Sequence, residues 1–279
     1  MPGTGGGARS LSSLPAELLV NLTLRELRGK FKRTALGWGW SVLNPVLNLI
    51  VYATVFGAFL KLQPPVGDPS GLFNYPFFLV CGLLPWTFLS MSLSTSSTAY
   101  AANESLVKKV YFPRSVLPAA AVLATLVTFL VEMGVLSTVL VGAGNMVLPW
   151  LPVALAVVAL QAAFALGLGL VVAALNARFR DVSHLLSIGL NVWMYATPIL
   201  YPISLVPERA SVLGIRIPAA DLLRYNPMYH FVAAYRDLLY HLRAPTLGTW
   251  LVMAGAAVVA VGLGVVVHRR YEPILAEVL

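Results

Sequence analysis

Glu132 is the one acidic residue deep inside an apolar run of this chain. An ionisable group at bilayer depth is costly, and by default it marks function. The other reading is a protonated or hydrogen-bonded glutamate at a helix–helix contact, with Thr128 one turn away. Tyr52, Phe56, Trp86, Trp193 and Tyr195 also sit within apolar segments. Along a sugar pathway their ring faces would stack on the C–H faces of pyranose rings. Packing against lipid or inside a core is the commoner role for such residues. With Glu132 they form the candidate substrate pathway.

A basic cluster, Arg25, Arg28, Lys30, Lys32 and Arg33, precedes the first long apolar run. Cations at headgroup level attract phosphate oxygens. Arg25, Arg28 and Lys32 are the candidate headgroup contacts, and Arg28 and Lys32 share a helical face. The same charges would fix topology with no ligand at all. Residues 101–115 mix charge with Leu106, Val107, Val110, Tyr111 and Phe112. A solvent loop has no reason to expose so many apolar groups. A short amphipathic helix pressed into a partner groove explains them, as does packing on the membrane surface or on segment 13–33.

Catalytic and metal chemistry find little support. A phosphate-cradling loop ends in Gly-Lys-Ser/Thr, whereas the single Gly-Lys pair, Gly29-Lys30, is followed by Phe31. Nucleotide hydrolysis within this chain, and with it a resident ATP or Mg, is therefore not expected. Asp221 and Asp237 stand alone, which disfavours a sugar-transfer enzyme working with paired carboxylates. His184, His230, His241 and His268 are scattered, and Cys81 is the only cysteine, so neither a metal site nor an internal disulfide is expected.

The elements that must position these residues are membrane spans. Of 279 residues 58% are hydrophobic and 11% charged, against roughly a quarter charged in soluble domains. A bilayer core of about 30 Å needs about 20 apolar residues in helical form. Segments 38–60, 75–98, 116–142, 149–176, 183–202 and 248–267 qualify, and none alternates as barrel strands do. The expected fold is an all-α integral membrane bundle of six spans. Lys and Arg concentrate before the first span, at 108–114, at 178–180 and at 269–270, which puts both termini in the cytoplasm. The net charge of +8 then reflects headgroups and topology rather than nucleic acid. Residues 1–12 read as a flexible tail without a cleavable signal, and 13–279 as a single transmembrane domain.

Two segments flank the spans. In 13–33, Ser13 caps and Pro15 opens a helix whose Leu14, Leu18 and Leu22 form one stripe, an amphipathic helix for the inner interface. In the long outer segment 203–247, Asn226-Pro227 starts a helix. Met228, Phe231, Val232, Tyr235 and Leu239 line one face of it, with Arg236 and Asp237 turned elsewhere. Ala196-Thr197-Pro198 and Tyr201-Pro202 interrupt the fifth span near its outer end, which requires nearby protein or water. A re-entrant or surface-lying helical hairpin is expected there.

The run Arg25-Glu26-Leu27-Arg28-Gly29-Lys30-Phe31-Lys32-Arg33, continuing through Trp38-Gly39-Trp40 to Leu43-Asn44-Pro45 and Val55-Phe56-Gly57, resembles the approach to the first span in type-2 ABC exporter permeases. The match is nearest to the polysaccharide-export branch, which handles O-antigen, capsule and teichoic acid. Ser105-Leu106-Val107-Lys108-Lys109-Val110-Tyr111-Phe112-Pro113-Arg114 resembles that family's coupling segment. Arg180-Asp181-Val182, Thr197-Pro198-Ile199-Leu200-Tyr201-Pro202 and Asn226-Pro227 with Tyr235-Arg236 resemble its later blocks in the same order.

The resemblance implies half of a transporter in the bacterial cytoplasmic membrane. Two copies would form the pathway, and two copies of a separate ATPase, carrying ATP and Mg, would sit below. Glu104, Leu106, Lys108, Lys109, Tyr111, Phe112 and Arg114 would take up ATPase motion. The substrate would be a polyprenyl-diphosphate-linked glycan admitted from the inner leaflet between spans one and five. A type-2 permease for a drug or lipid, and a polyprenyl-phosphate glycosyltransferase, are the competing readings.

Overall fold

The computed structural model describes residues 14–31, 37, 39–59, 63–203, 206–208, 210–212 and 215–272. The tail 1–12, Ser13, Lys32, Arg33 and Trp38 lie outside these. Helix α1 (Leu14–Phe31) is followed by α2 (Gly39–Tyr52), which runs on as a π-helical stretch, Ala53–Phe59. Then come α3 (Tyr75–Thr98), the short α4 (Glu104–Lys109), α5 (Val116–Gly142), α6 (Leu151–Arg178) and α7 (Val182–Tyr195). The chain closes with α8 (Ala219–Arg224), α9 (Pro227–Tyr235), a π turn Arg236–His241 and α10 (Leu247–Tyr271).

Among the described residues, four helices are long and apolar enough to cross a bilayer: Tyr75–Thr98, Val116–Gly142, Leu148–Arg178 and Leu247–Tyr271. They coincide closely with four of the expected spans. The other two segments are less regular. The α-helical part of 38–60 and the whole of α7 have 14 residues each, about 21 Å of helix against about 30 Å of hydrocarbon. Helix α7 stops at Tyr195 because Pro198 and Pro202 follow, and the residue before a proline is driven out of helical conformation.

The segment between α7 and α10 is not purely helical. Ala210–Val212 pairs antiparallel with Ile215–Ile217, Ser211 opposite Arg216. The β-branched Val212, Ile215 and Ile217 suit a pleated surface better than a helix, so the expected helical hairpin is corrected to a β-hairpin followed by two helices.

Contacts between spans depend on small residues and side-chain hydrogen bonds, since lipid supplies no hydrophobic drive for one helix to seek another. Helices α6 and α10 approach until a Cβ on Gly167 would lie 2.2 Å from the Ala260 carbonyl carbon, and one on Gly264 2.5 Å from the Gly167 oxygen. Pro85 lies inside α3 and withdraws a donor from its ladder; Gln161 of α6 donates to the Pro85 carbonyl at 2.7 Å. The main core is built from α3, α5, α6, α9 and α10. In it Phe129 stacks on Phe88 at 4.9 Å and Phe231 on Phe164 at 5.5 Å. A second cluster, at the end of the bundle where α1 and α4 lie, joins Leu22, Tyr100, Val107, Leu117 and Ala173.

Candidate functional site

One end of the bundle brings together α1, α4, the start of α5 and the end of α10. Leu22 and Leu27 are buried, and Leu18 and Leu19 pack beside Leu22. The stripe of α1 therefore lies on protein, against the connector and α5. Val107 is buried, and Leu106 and Phe112 pack on the same cluster, whereas Val110 is half-exposed and Tyr111 fully exposed. Apolar groups in this segment thus divide between holding it in place and facing outward. Lys108 donates to Glu104 at 2.5 Å, and that hydrogen bond and charge hold the Glu104 carboxyl below its usual range. Lys109 is exposed. The Arg114 guanidinium donates to the Glu272 carbonyl, and its backbone N–H to Glu272 Oε1 at 3.4 Å, tying the connector to the end of α10. One turn earlier, His268 Nδ1 meets the Tyr100 hydroxyl at 3.1 Å.

The headgroup candidates are only partly brought to one place. Arg25 donates to Asn103 Oδ1, anchoring α1 to the turn before α4, and pairs with Glu26 at 3.3 Å. Arg28 is exposed on α1. Lys32 falls outside the described residues.

The pathway candidates form two groups. Tyr52 and Glu132 line one cleft of about 240 Å³ between α2, α3 and α5, together with Asn48, Thr87, Thr125 and Thr128. Tyr52 leads to Phe56 (6.1 Å between ring centroids), and Phe56 to Tyr75 (5.5 Å). Trp86 and Trp193 meet edge to face at 5.8 Å elsewhere, with Phe164 against Trp193. Trp86 is buried in the main core and Trp193 half-buried, while Tyr195 is exposed on α7.

At the opposite end the two proline motifs meet. Asn226 caps α9 by accepting from the Met228 N–H at 3.0 Å, and accepts from the Trp193 indole at 2.9 Å. Its amide donates to the Ala196 carbonyl at 3.1 Å and to Thr197 Oγ1 at 2.8 Å. Arg236 is buried and donates to the carbonyls of Phe78 (3.3 Å), Pro198 (2.7 Å) and Ile199 (2.5 Å). Its guanidinium carbon stands 3.7 Å from the Phe78 ring centre. Gly82 makes the room, since a Cβ there would fall 2.9 Å from Arg236 Nη2.

The expectation that Arg236 turns away from the packed face is thereby corrected. Arg236 opens the π turn that follows α9, so its direction is set by the α-helical turn before it. One signal was present in the sequence: Arg236 stands four residues after Val232, on the apolar side.

Comparison with known proteins places this arrangement among relatives. The ABC-2 type transporter family matches residues 17–240. The chain is 31% identical over 242 residues to the O-antigen export system permease protein RfbA of Myxococcus xanthus, covering 87% of each chain. It is 31% identical over 268 residues to the protein of the same name from Klebsiella pneumoniae, covering 94% of this chain and 95% of the relative. It is 26% identical over 240 residues to the polysialic acid transport protein KpsM of Escherichia coli, covering 82% and 84%.

Proposed function

The chain belongs to the ABC-2 type transporter family, and from that membership we propose that it is the transmembrane subunit of an ATP-driven polysaccharide exporter. The observation that carries the reading is 31% identity, sustained over nearly the whole length, to permeases named for O-antigen export. As a permease with several apolar helices it is a multi-pass membrane protein. We further infer six spans: the four long helices, the stretch 39–59, and α7 with the proline-broken turn after it. Both termini are then cytoplasmic and residues 13–279 act as one domain in the inner membrane.

In this proposal two copies form the pathway and each meets one ATPase subunit, which holds ATP and Mg. Glu104, Leu106, Lys108, Lys109, Tyr111, Phe112 and Arg114 form the docking segment, whose outward face is Val110, Lys109 and Tyr111. Arg114, bound to Glu272, passes motion of that segment to α10. The substrate is a polyprenyl-diphosphate-linked glycan, with Arg25, Arg28 and Lys32 at its headgroup and Tyr52, Phe56, Trp86, Glu132, Trp193 and Tyr195 along or beside its path.

Depletion of the chain in its host tests the reading. A lipid-linked polysaccharide is expected to accumulate on the cytoplasmic side; accumulation of a different lipid, or of none, overturns it.

A further inference from the structure

Tyr100 stands just before the connector 101–115 and Arg114 near its end, and both reach the last turns of α10. Tyr100 is buried, and its ring lies over that of His268, with 6.4 Å between centroids and 18° between planes. Its hydroxyl meets His268 Nδ1 at 3.1 Å. Arg114 holds Glu272, one turn beyond His268, through both the carbonyl and Oε1. The two feet of the connector therefore stand on neighbouring turns of one helix. That helix is in turn fixed to α6. Gly264, one turn before His268, lies so close to Gly167 that a Cβ on it would meet the Gly167 oxygen at 2.5 Å. A displacement of the connector thus enters the bundle through His268 and Glu272 and passes on to α6.

The hydrogen-bonding capacity of His268 is only half used. The residue is buried, and its Nε2 has no hydrogen-bond partner among the described residues. The Glu272 carboxylate faces that nitrogen at 3.7 Å, too far for a hydrogen bond. A neutral imidazole carries one N–H. With the hydrogen on Nδ1 it donates to Tyr100, and a bare Nε2 lone pair faces a carboxylate. With the hydrogen on Nε2, Tyr100 donates to Nδ1 and the N–H points across an open gap. The imidazolium satisfies both sides, since Nδ1–H donates to the Tyr100 oxygen and Nε2–H pairs with the carboxylate. Burial pushes the Tyr100 hydroxyl up, so it stays neutral in either state. The charged groups acting on His268 are Glu272 on its own helix and Arg114 just before α5. The turn after α3 brings the Tyr100 hydroxyl, α6 brings the apolar Ala173 to the same cluster, and Arg269 and Arg270 are exposed.

We propose that His268 is a positioning residue, a proton-operated latch between α10 and the docking segment. A proton taken up by the imidazole draws the Glu272 carboxylate in from 3.7 Å, and Glu272 carries Arg114 and the connector with it. A latched state that offers the imidazolium a carboxylate binds the proton more tightly than an open one. Latching is therefore favoured at low pH and is lost as pH rises through the range in which an imidazole titrates. The proposal rests on the docking reading above and adds a regulation to it: the bundle and the ATPase are coupled more firmly on the acid side.

The test uses the full chain assembled with its ATPase subunit in lipid nanodiscs. The ATPase rate of the complex is divided by that of the isolated ATPase subunit and followed from about pH 8 to about pH 5.5. In the native complex this ratio should move away from unity as pH falls, by about threefold, the scale of one partly exposed ion pair. His268→Asn can still meet Tyr100 but does not titrate, and should hold the high-pH ratio throughout. Glu272→Gln keeps an acceptor for the Arg114 N–H and should flatten the profile in the same way. Glu272 is half-exposed, so this second variant serves even where the buried His268→Asn fails to fold.

A flat profile in the native complex overturns the proposal, and so does a step that survives in both variants. A step lost in His268→Asn but kept in Glu272→Gln overturns the carboxylate as the partner. The docking reading fails in a different way. If the ratio is unity at every pH, the chain does not act on the ATPase, and the latch falls with the docking segment. A ratio away from unity that is indifferent to pH leaves the docking segment standing and removes the latch alone.

Discussion

Asn226 donates to the Thr197 hydroxyl at 2.8 Å, joining two proline motifs that stand 29 residues apart in the chain. The same side chain caps α9 and receives the Trp193 indole. Asn226→Ala removes the cap and strands several polar partners, at a cost of about 1–3 kcal/mol. Asn226→Asp keeps the acceptor for Met228 and Trp193 but loses both donations, and should fall between. Thermal unfolding of the purified chain in detergent orders the three; an alanine variant as stable as the native chain would show that the corner is held by something else.

Arg236 is the second clamp. Three carbonyls and one ring converge on its guanidinium, a fork geometry that a lysine ammonium does not reproduce. Arg236→Met fills much of the space yet leaves three carbonyls without that donor, so a loss of about 2–5 kcal/mol is expected. Arg236→Lys should recover only part of it. Gly82→Ala pushes on the same guanidinium from α3 and should destabilise the chain by the same route. A double variant, Gly82→Ala with Arg236→Met, should then lose less than the sum of the two.

Much of this was legible because its causes are local in sequence. Tyr75–Thr98 and Val116–Gly142 match the apolar runs residue for residue, since span length is set by bilayer thickness. The end of α7 followed from Pro198 and Pro202. Arg236 was misplaced because its charge was allowed to outweigh its spacing: four residues after Val232 it falls on the packed side of α9, where three carbonyls receive its guanidinium. The aromatic residues were legible as a class only. Tyr52 faces a cleft and Trp86 a core, and which of these a ring meets is decided by α5 and α6, distant in the chain. In the connector, charge and apolar character were both visible, but the partition between buried Val107 and exposed Tyr111 depends on where Leu22 arrives.

That partition lets the proposed docking role of the connector be tested apart from folding. Tyr111 is fully exposed, so Tyr111→Ala should leave the melting temperature unchanged while lowering glycan-stimulated ATPase activity of the assembled transporter. Val107→Ala opens a cavity in the cluster around Leu22 and should cost about 1–3 kcal/mol whatever its effect on coupling. Lys109→Glu reverses an exposed charge and is expected to weaken co-purification with the ATPase. Lys108→Glu also sets two carboxylates at Glu104, one turn away, and loosens α4 itself. Unimpaired coupling in both Tyr111→Ala and Lys109→Glu would remove this face from the docking surface.

His241 gives the corner where it meets Asp68 and Ser70 a pH dependence of definite sign. Its Nδ1 accepts from the Asp68 N–H at 3.2 Å, and Ser70 N–H donates to its carbonyl at 3.1 Å. Burial pulls the imidazole below its ordinary value, Arg243 and Arg236 pull the same way, and Asp237 and Asp68 oppose them. The folded chain therefore resists a proton that the unfolded chain accepts at about pH 6.5. The contribution of this contact is full above that pH and is lost as pH falls from there towards the depressed folded value. Protonation would also turn Nδ1 from acceptor to donor opposite another donor. Hydrogen exchange at the amides of Asp68 and Ser70 should accelerate on going from pH 7.5 to 5.5, beyond the change shown by amides of the α3 core. His241→Asn, whose side-chain carbonyl can accept from Asp68 but does not titrate, should remove that excess; if it persists in the variant, another group governs the corner.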